Sequence, residues 1–332
     1  MVLSPVRPVF LLGVFLLGGL TNPLRAETPR PKVPGPWKVR ETLDQRYHEG
    51  TDRHVLDVFS PEGVAHCPVV LFVHGGAWVF GDKDLFGLYR GVGQFLARHG
   101  FVAVLVNYRL SPAVQHPEHI KDIARAYAWV RQTIQQFGGD PGQIFLAGHS
   151  AGGHLAALLA TDTTYWQDPS LGLKIGDRAS LRGVIGVCGV YRIPGSNETT
   201  AMIAEMLHGV QTGGAVRRET GTSAKPRLRQ DFLLFKLVFG DDARVRAQAS
   251  PVNHVEKGLP PFLLLLAQRE LPLLPEMASE FARKLKAAGN SVEECRVPGC
   301  HHNTILFNLG IPDDPTAKAL LEFLDRCSAE KK

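Results

Sequence analysis

The chain has 332 residues, 44% of them hydrophobic and 21% charged, which is enough apolar surface to bury the core of one large α/β domain. Its net charge of +5 is 37 Lys and Arg set against 32 Asp and Glu; part of the excess gathers at Arg217, Arg218, Lys225, Arg227 and Arg229, in a stretch without aromatics that reads as a solvated loop and not as a nucleic-acid patch. Five cysteines are too few for a dense disulfide framework, and neither C-x-x-C nor H-E-x-x-H spacing occurs, so no metal and no cofactor is expected.

Residues 1–26 place Arg7 ahead of an apolar run from Val9 to Leu20 and close on Ala26. The run is short for a membrane span and reads as a secretory signal cleaved after Ala26, with an uncleaved N-terminal anchor as the alternative. The expected location is therefore secreted or periplasmic, with membrane association only if the segment is retained. After cleavage Cys67, Cys188, Cys295, Cys300 and Cys327 remain, an odd number that leaves at least one unpaired within the chain. Residues 27–49 open with many Pro, Lys and Arg and are read as a linker, and residues 50–332 as the folded domain.

Within that domain, residues 67–73 are an almost unbroken apolar run, the mark of a strand buried on both faces, and they deliver His74-Gly75-Gly76-Ala77-Trp78. A second buried strand spans 101–106. A helix spans 117–137, with Ile120, Ile123, Tyr127, Val130 and Ile134 on one face. Residues 143–149 form a strand that runs into Gly148-His149-Ser150-Ala151-Gly152 and a small-residue helix over 151–160. This is a nucleophile elbow: the arms of the turn approach so closely that the positions two before and two after the serine tolerate almost no side chain. The unpaired first N–H groups of the helix suit a reaction that builds negative charge beside Ser150.

Later segments supply a strand over 181–191, an irregular stretch over 193–239 read as a small cap, and a strand over 260–267 that ends in Gln268-Arg269-Glu270. A helix over 275–288, a strand over 292–297 leading into Pro298-Gly299-Cys300-His301-His302, and a helix over 315–327 complete the order. The fold class expected is a doubly wound, mostly parallel α/β sheet, with the reactive groups at the carboxyl ends of strands.

The chain resembles the α/β-hydrolase superfamily, and within it the HGG-type esterases related to hormone-sensitive lipase, arylformamidases and bacterial feruloyl-esterase-like carboxylesterases. The resemblance covers residues 50 to 327 and rests on His74-Gly75-Gly76-Ala77-Trp78 with Gly81-Asp82-Lys83, on Asn107-Tyr108-Arg109-Leu110-Ser111-Pro112, on Gly148 to Leu155, and on Ala249-Ser250-Pro251. It implies a serine nucleophile at Ser150, followed in chain order by an acid and a histidine. Relatives carry the acid as Asp in G-x-x-D; here the matching positions are Ala267 and Glu270, with Asp241 and Asp242 as rival acids. His302 aligns with the imidazole of relatives that read Gly-Lys-Asp-His-Asn, and His301 is its rival. Backbone N–H groups of Gly75, Gly76 and Ala151 are the expected oxyanion hole.

The implied activity is a serine carboxylic-ester hydrolase that forms an acyl-enzyme on a small ester or an acetyl- or feruloyl-type ester. An arylformamidase-like amide hydrolase uses the same groups, as does a serine peptidase, although the chain is short for the oligopeptidase form. A non-catalytic ligand binder on the same fold is the alternative of another class; the presence of both Ser150 and His302 speaks against it.

Overall fold

The computed structural model describes residues 37–195 and 230–329. The apolar segment 1–26, residues 27–36 of the expected linker, and 196–229 of the expected cap, including the basic cluster from Arg217 to Arg229, lie outside the described residues. Among the described residues no helix is long and apolar enough to cross a membrane.

The sequence order of strands and helices builds one sheet of eight strands among the described residues, ordered β1-β2-β4-β3-β5-β6-β7-β8. The strands are β1 (Val39–Arg46), β2 (Val55–Pro61), β3 (Cys67–Val73), β4 (Val102–Val106), β5 (Gly139–His149), β6 (Leu181–Val187), β7 (Phe262–Arg269) and β8 (Val292–His301). From β4 through β8 the pairings are parallel, whereas β1 and β2 are antiparallel additions at one edge. Parallel strands need helical crossovers, and these cover both faces.

Alternation along each strand divides the core. Val69, Leu71, Val73, Val104, Leu146 and Phe262 face the layer that contains α2 (Glu118–Thr133), α3 (Ala151–Thr161) and a helix at Leu274–Ala287. Val70, Phe72, Leu105, Phe145 and Leu263 face the layer with α1 (Leu88–Arg98) and a helix at Pro315–Ala329. In chain order the helices after α3 are α4 (Thr164–Gln167), α5 (Gln230–Phe239), α6 (Ala243–Gln248), α7 (Leu274–Ala287) and α8 (Pro315–Ala329). The helix expected over 117–137 is α2 followed by a tighter 3-10 turn at Ile134–Phe137.

Several elements differ from the sequence reading, among them β5, β7 and β8, which run over Gly139–His149, Phe262–Arg269 and Val292–His301. Part of the 27–49 linker is strand β1, which pairs with β2 from Val39↔Pro61 to Arg46↔Val55. As an exposed edge strand it carries Arg, Glu, Asp and Gln and has no buried face to mark it. Strand β2 itself holds Asp57, buried between Leu56 and Val58 with Lys83 Nζ 2.8 Å from its carboxylate, a partner 26 residues away that local pattern does not show. The strand expected over 181–191 stops at Val187, since Cys188 takes φ 51° and turns the chain. No disulfide joins the five cysteines.

Helix α7 is held by Phe281, which stacks on Tyr191 at 4.7 Å and meets Phe262 edge-on at 5.4 Å. All three are essentially buried. Phe281→Ala is expected to lower the unfolding free energy by about 3–5 kcal/mol, the usual cost of an aromatic cavity, read from urea denaturation of the two proteins.

Candidate active site

The elbow is built by close approach. A Cβ at Gly152 would lie 2.0 Å from the Val73 carbonyl oxygen, and one at Gly148 would lie 2.3 Å from the Gly152 backbone. These contacts press β5, α3 and the end of β3 together, and Ser150 between them takes φ 54° and ψ −117°, a strained conformation for a residue with a side chain. The Ser150 N–H donates to the Val187 carbonyl at 2.8 Å, which ties the turn to β6. Its side chain remains partly exposed while its neighbours His149 and Ala151 are buried.

Ser150, His302 and Glu270 come together from the ends of β5, β8 and β7. Ser150 Oγ is 2.9 Å from His302 Nε2, and His302 Nδ1 is 2.6 Å from Glu270 Oε1. A neutral imidazole with its proton on Nδ1 satisfies both contacts, donating to the carboxylate and accepting from the hydroxyl. The Glu270 side chain is only 2% exposed, and its longer arm is folded back on its own loop: Oε1 also accepts from the Leu271 N–H at 2.8 Å and Oε2 from the Ala267 N–H at 3.3 Å. Burial acts to raise its pKa, but hydrogen bonds from His302, Cys188 and Leu271 and the His302 charge outweigh it and hold the carboxyl below its ordinary value.

The rival groups stand elsewhere. Asp241 pairs with Lys236, and Asp242 caps α6 by accepting from the Arg244 N–H at 2.8 Å; both side chains are more than half exposed. His301 is exposed, with Nε2 3.5 Å from Arg269.

The loop after β3 corrects one expected oxyanion donor. The Gly75 N–H donates to Tyr89 Oη at 2.9 Å and so points into the protein, while the N–H groups of Gly76, Ala77 and Ala151 are left without a hydrogen-bond partner among the described residues. Gly75 is needed for space, since a Cβ there would lie 2.9 Å from both His149 Nδ1 and Tyr89 Oη. Gly76 (φ 120°), Ala77 (φ 49°) and Trp78 (φ 60°) carry the turn.

The other motif residues brace that loop. His74 donates from Nδ1 to the Gly75 carbonyl at 2.6 Å, accepts from Arg53 at 3.2 Å, and stacks on Tyr108 at 4.4 Å; burial holds its pKa down to about 4. Arg109, by contrast, is tied to α2 and not to the loop, gripped by Asp122 through Nε at 2.8 Å and Nη2 at 2.7 Å. Trp78 donates to His154 Nδ1 at 3.2 Å, and His154 donates to the Ala249 carbonyl at 2.7 Å, so the Ala249-Ser250-Pro251 motif anchors the loop from behind. Helix α5 lays Phe239 edge-on against Trp78, with centroids 5.0 Å apart.

Sequence reasoning missed Arg53, Tyr89 and Cys188 and set His149 aside. Arg53, Tyr89 and Cys188 sit in no motif spacing, and His149 fills the variable position of the elbow motif; each is recruited by tertiary contact. Side-chain ligand atoms of His149, Cys188 and His302 lie within 4.8 Å of one another, but both nitrogens of each imidazole are engaged in hydrogen bonds, and the cluster is a hydrogen-bond network.

This fold and site define an esterase of the α/β-hydrolase class. The BD-FAE family model matches residues 56–285, and the chain belongs to that family. It is 31% identical to the esterase LipC of Mycobacterium tuberculosis over 95% of this chain and 74% of LipC. The esterase LipQ of the same organism is 29% identical over 82% of this chain, but the chain spans only 60% of LipQ. Esterase B from Lactobacillus rhamnosis shares the fold, with a TM-score of 0.68, 22% identity and coverage of 87% of both chains.

A Glu270 carboxyl held below its ordinary 4.5 contributes stability that is fully present above that pH and is lost as pH falls through the folded-state value. Glu270→Gln is expected to remove this part of the acid-side fall in melting temperature, measured by thermal unfolding from pH 7 down to pH 3.

Proposed function

We propose that the chain is a serine carboxylic-ester hydrolase that works through an acyl-enzyme. Ser150 attacks the ester carbonyl as His302 Nε2 takes its proton; Glu270 holds the imidazole by Nδ1 and stabilises the imidazolium; Gly76, Ala77 and Ala151 supply the oxyanion donors. His302 then protonates the departing alcohol, and water, activated by the same imidazole, releases the acid. The observation that carries this reading is the continuous line from Ser150 Oγ at 2.9 Å to His302 and on at 2.6 Å to Glu270. Its substrate is an ester, in keeping with the esterase names of LipC and LipQ. Acetylated or feruloylated sugars and aryl formamides present the same carbonyl chemistry.

The chain is expected to turn over p-nitrophenyl acetate and butyrate, with Ser150→Ala and His302→Ala folded but slower by about 1000-fold or more. A folded wild type no faster than Ser150→Ala across acetyl to octanoyl esters overturns the ester assignment and leaves amide cleavage or ligand binding.

We further propose that residues 1–26 direct export, on the pattern of Arg7, the apolar run to Leu20, and Ala26. N-terminal sequencing of protein recovered from the exported fraction is expected to begin at Glu27. Full-length protein in the membrane fraction would point to an anchor, and in the cytosol to neither.

A further inference from the structure

Two buried side chains that the hydrolytic reading does not use, Tyr89 on α1 and His149 at the end of β5, join the loops that carry its working groups. The Gly75 N–H meets Tyr89 Oη at 2.9 Å, Tyr89 Oη meets His149 Nδ1 at 3.0 Å, and His149 Nε2 meets the His302 carbonyl at 2.8 Å. Every direction in this chain is set by chemistry. A backbone N–H only donates, so Tyr89 accepts from Gly75 and spends its one proton on His149 Nδ1. A carbonyl only accepts, so His149 must carry its proton on Nε2. The two demands name the same neutral tautomer, and every proton in the chain has an acceptor.

The surroundings keep it so. Tyr89 and His149 are 2% and 4% exposed, and burial, with the neighbouring His302, holds the His149 pKa down to about 3, so the ring stays neutral through the range in which an esterase works. Phe72 and His74 lie against the Tyr89 ring, with centroids 5.6 and 6.2 Å away, and the His302 ring lies 5.0 Å from that of His149. The absence of a Cβ at Gly75 is what lets the loop reach both partners.

We propose that Tyr89 and His149 are positioning residues: a hydrogen-bonded strut that sets the oxyanion loop after β3 and the His302 loop after β8 at a fixed separation on either side of Ser150. This rests on the esterase reading above. The strut reaches the chemistry from behind. By turning the Gly75 N–H inward it orients the following peptides, Gly76 and Ala77, and by holding the His302 carbonyl it limits the tilt of an imidazole whose nitrogens must meet Ser150 and Glu270 together. Displacing such groups by about 1 Å can slow a reaction by about 100-fold without weakening substrate binding.

The test uses the full chain and four variants, Tyr89→Phe, His149→Gln, His149→Leu and the Tyr89→Phe/His149→Leu double, assayed on p-nitrophenyl butyrate, with 15N-histidine NMR of the wild type and Tyr89→Phe. A strut predicts kcat lowered about 10-fold or more in Tyr89→Phe with KM within about twofold. It predicts partial rescue in His149→Gln relative to His149→Leu, because the Gln amide can still donate to the His302 carbonyl, and a double variant no slower than its worse parent, because both substitutions cut one chain. By NMR, His149 is expected to be neutral with its proton on Nε2 from pH 5 to 8, and Tyr89→Phe to shift the His302 ring resonances. The proposal is overturned if Tyr89→Phe retains kcat within about twofold, if the single losses multiply in the double, or if His149 titrates near about 6.5 or protonates on Nδ1. The NMR arm needs no turnover, so a wild type without Ser150-dependent hydrolysis would sink the esterase reading while the strut is still judged.

Discussion

The site depends on a contact that only glycine permits, the approach of α3 to the end of β3. The Val73 carbonyl sits where a Gly152 side chain would begin, and this lets the elbow lie directly beside the loop that follows β3. Ser150 is pressed into a left-handed φ by the same turn, and the strain is sustained because β3, β5 and β6 are buried parallel strands that cannot yield locally. From this proximity follows the rest: unpaired helix N–H groups, a loop with free N–H groups and an outward hydroxyl all meet at one end of the sheet.

Replacing the usual short acid by glutamate does not lengthen the reach to the histidine. The extra methylene is absorbed by folding the carboxylate back onto the Ala267 and Leu271 N–H groups, with the buried Cys188 thiol as a further donor. The result is a carboxylate that is buried yet ionised, since donors on several sides replace the water it has lost. Its negative charge is what an imidazolium beside it requires, and a buried position strengthens that interaction relative to one in water.

In the loop after β3, only one of the two expected glycine N–H groups is left without a partner among the described residues. Gly75 and Gly76 are neighbours in a His-Gly-Gly sequence, but successive peptide N–H groups in a tight turn point in different directions, and the first is taken by Tyr89. Oxyanion donors are defined by where N–H groups point, which depends on φ and ψ of the turn and on side chains arriving from α1. BD-FAE membership and the likeness to LipC agree with the class of chemistry; neither decides which peptide of the loop faces outward.

The sequence by itself determined the buried parallel strands, the elbow, the fold class and the identities of Ser150, Glu270 and His302 as candidates, because apolar runs and small-residue turns are local consequences of local residues. The tertiary structure decided what depends on distant partners. It joined His302 by hydrogen bonds to both Ser150 and Glu270, while Asp241 and His301 lie beside Lys236 and Arg269 instead. It made a strand of Val39–Arg46 through pairing with β2, and it enlisted Arg53, Tyr89, His149 and Cys188, whose partners lie tens of residues away. Periodicity reports which side of an element is buried, but a hydrogen bond is a matter of direction and distance between chain segments, and those exist only once the sheet has brought them together.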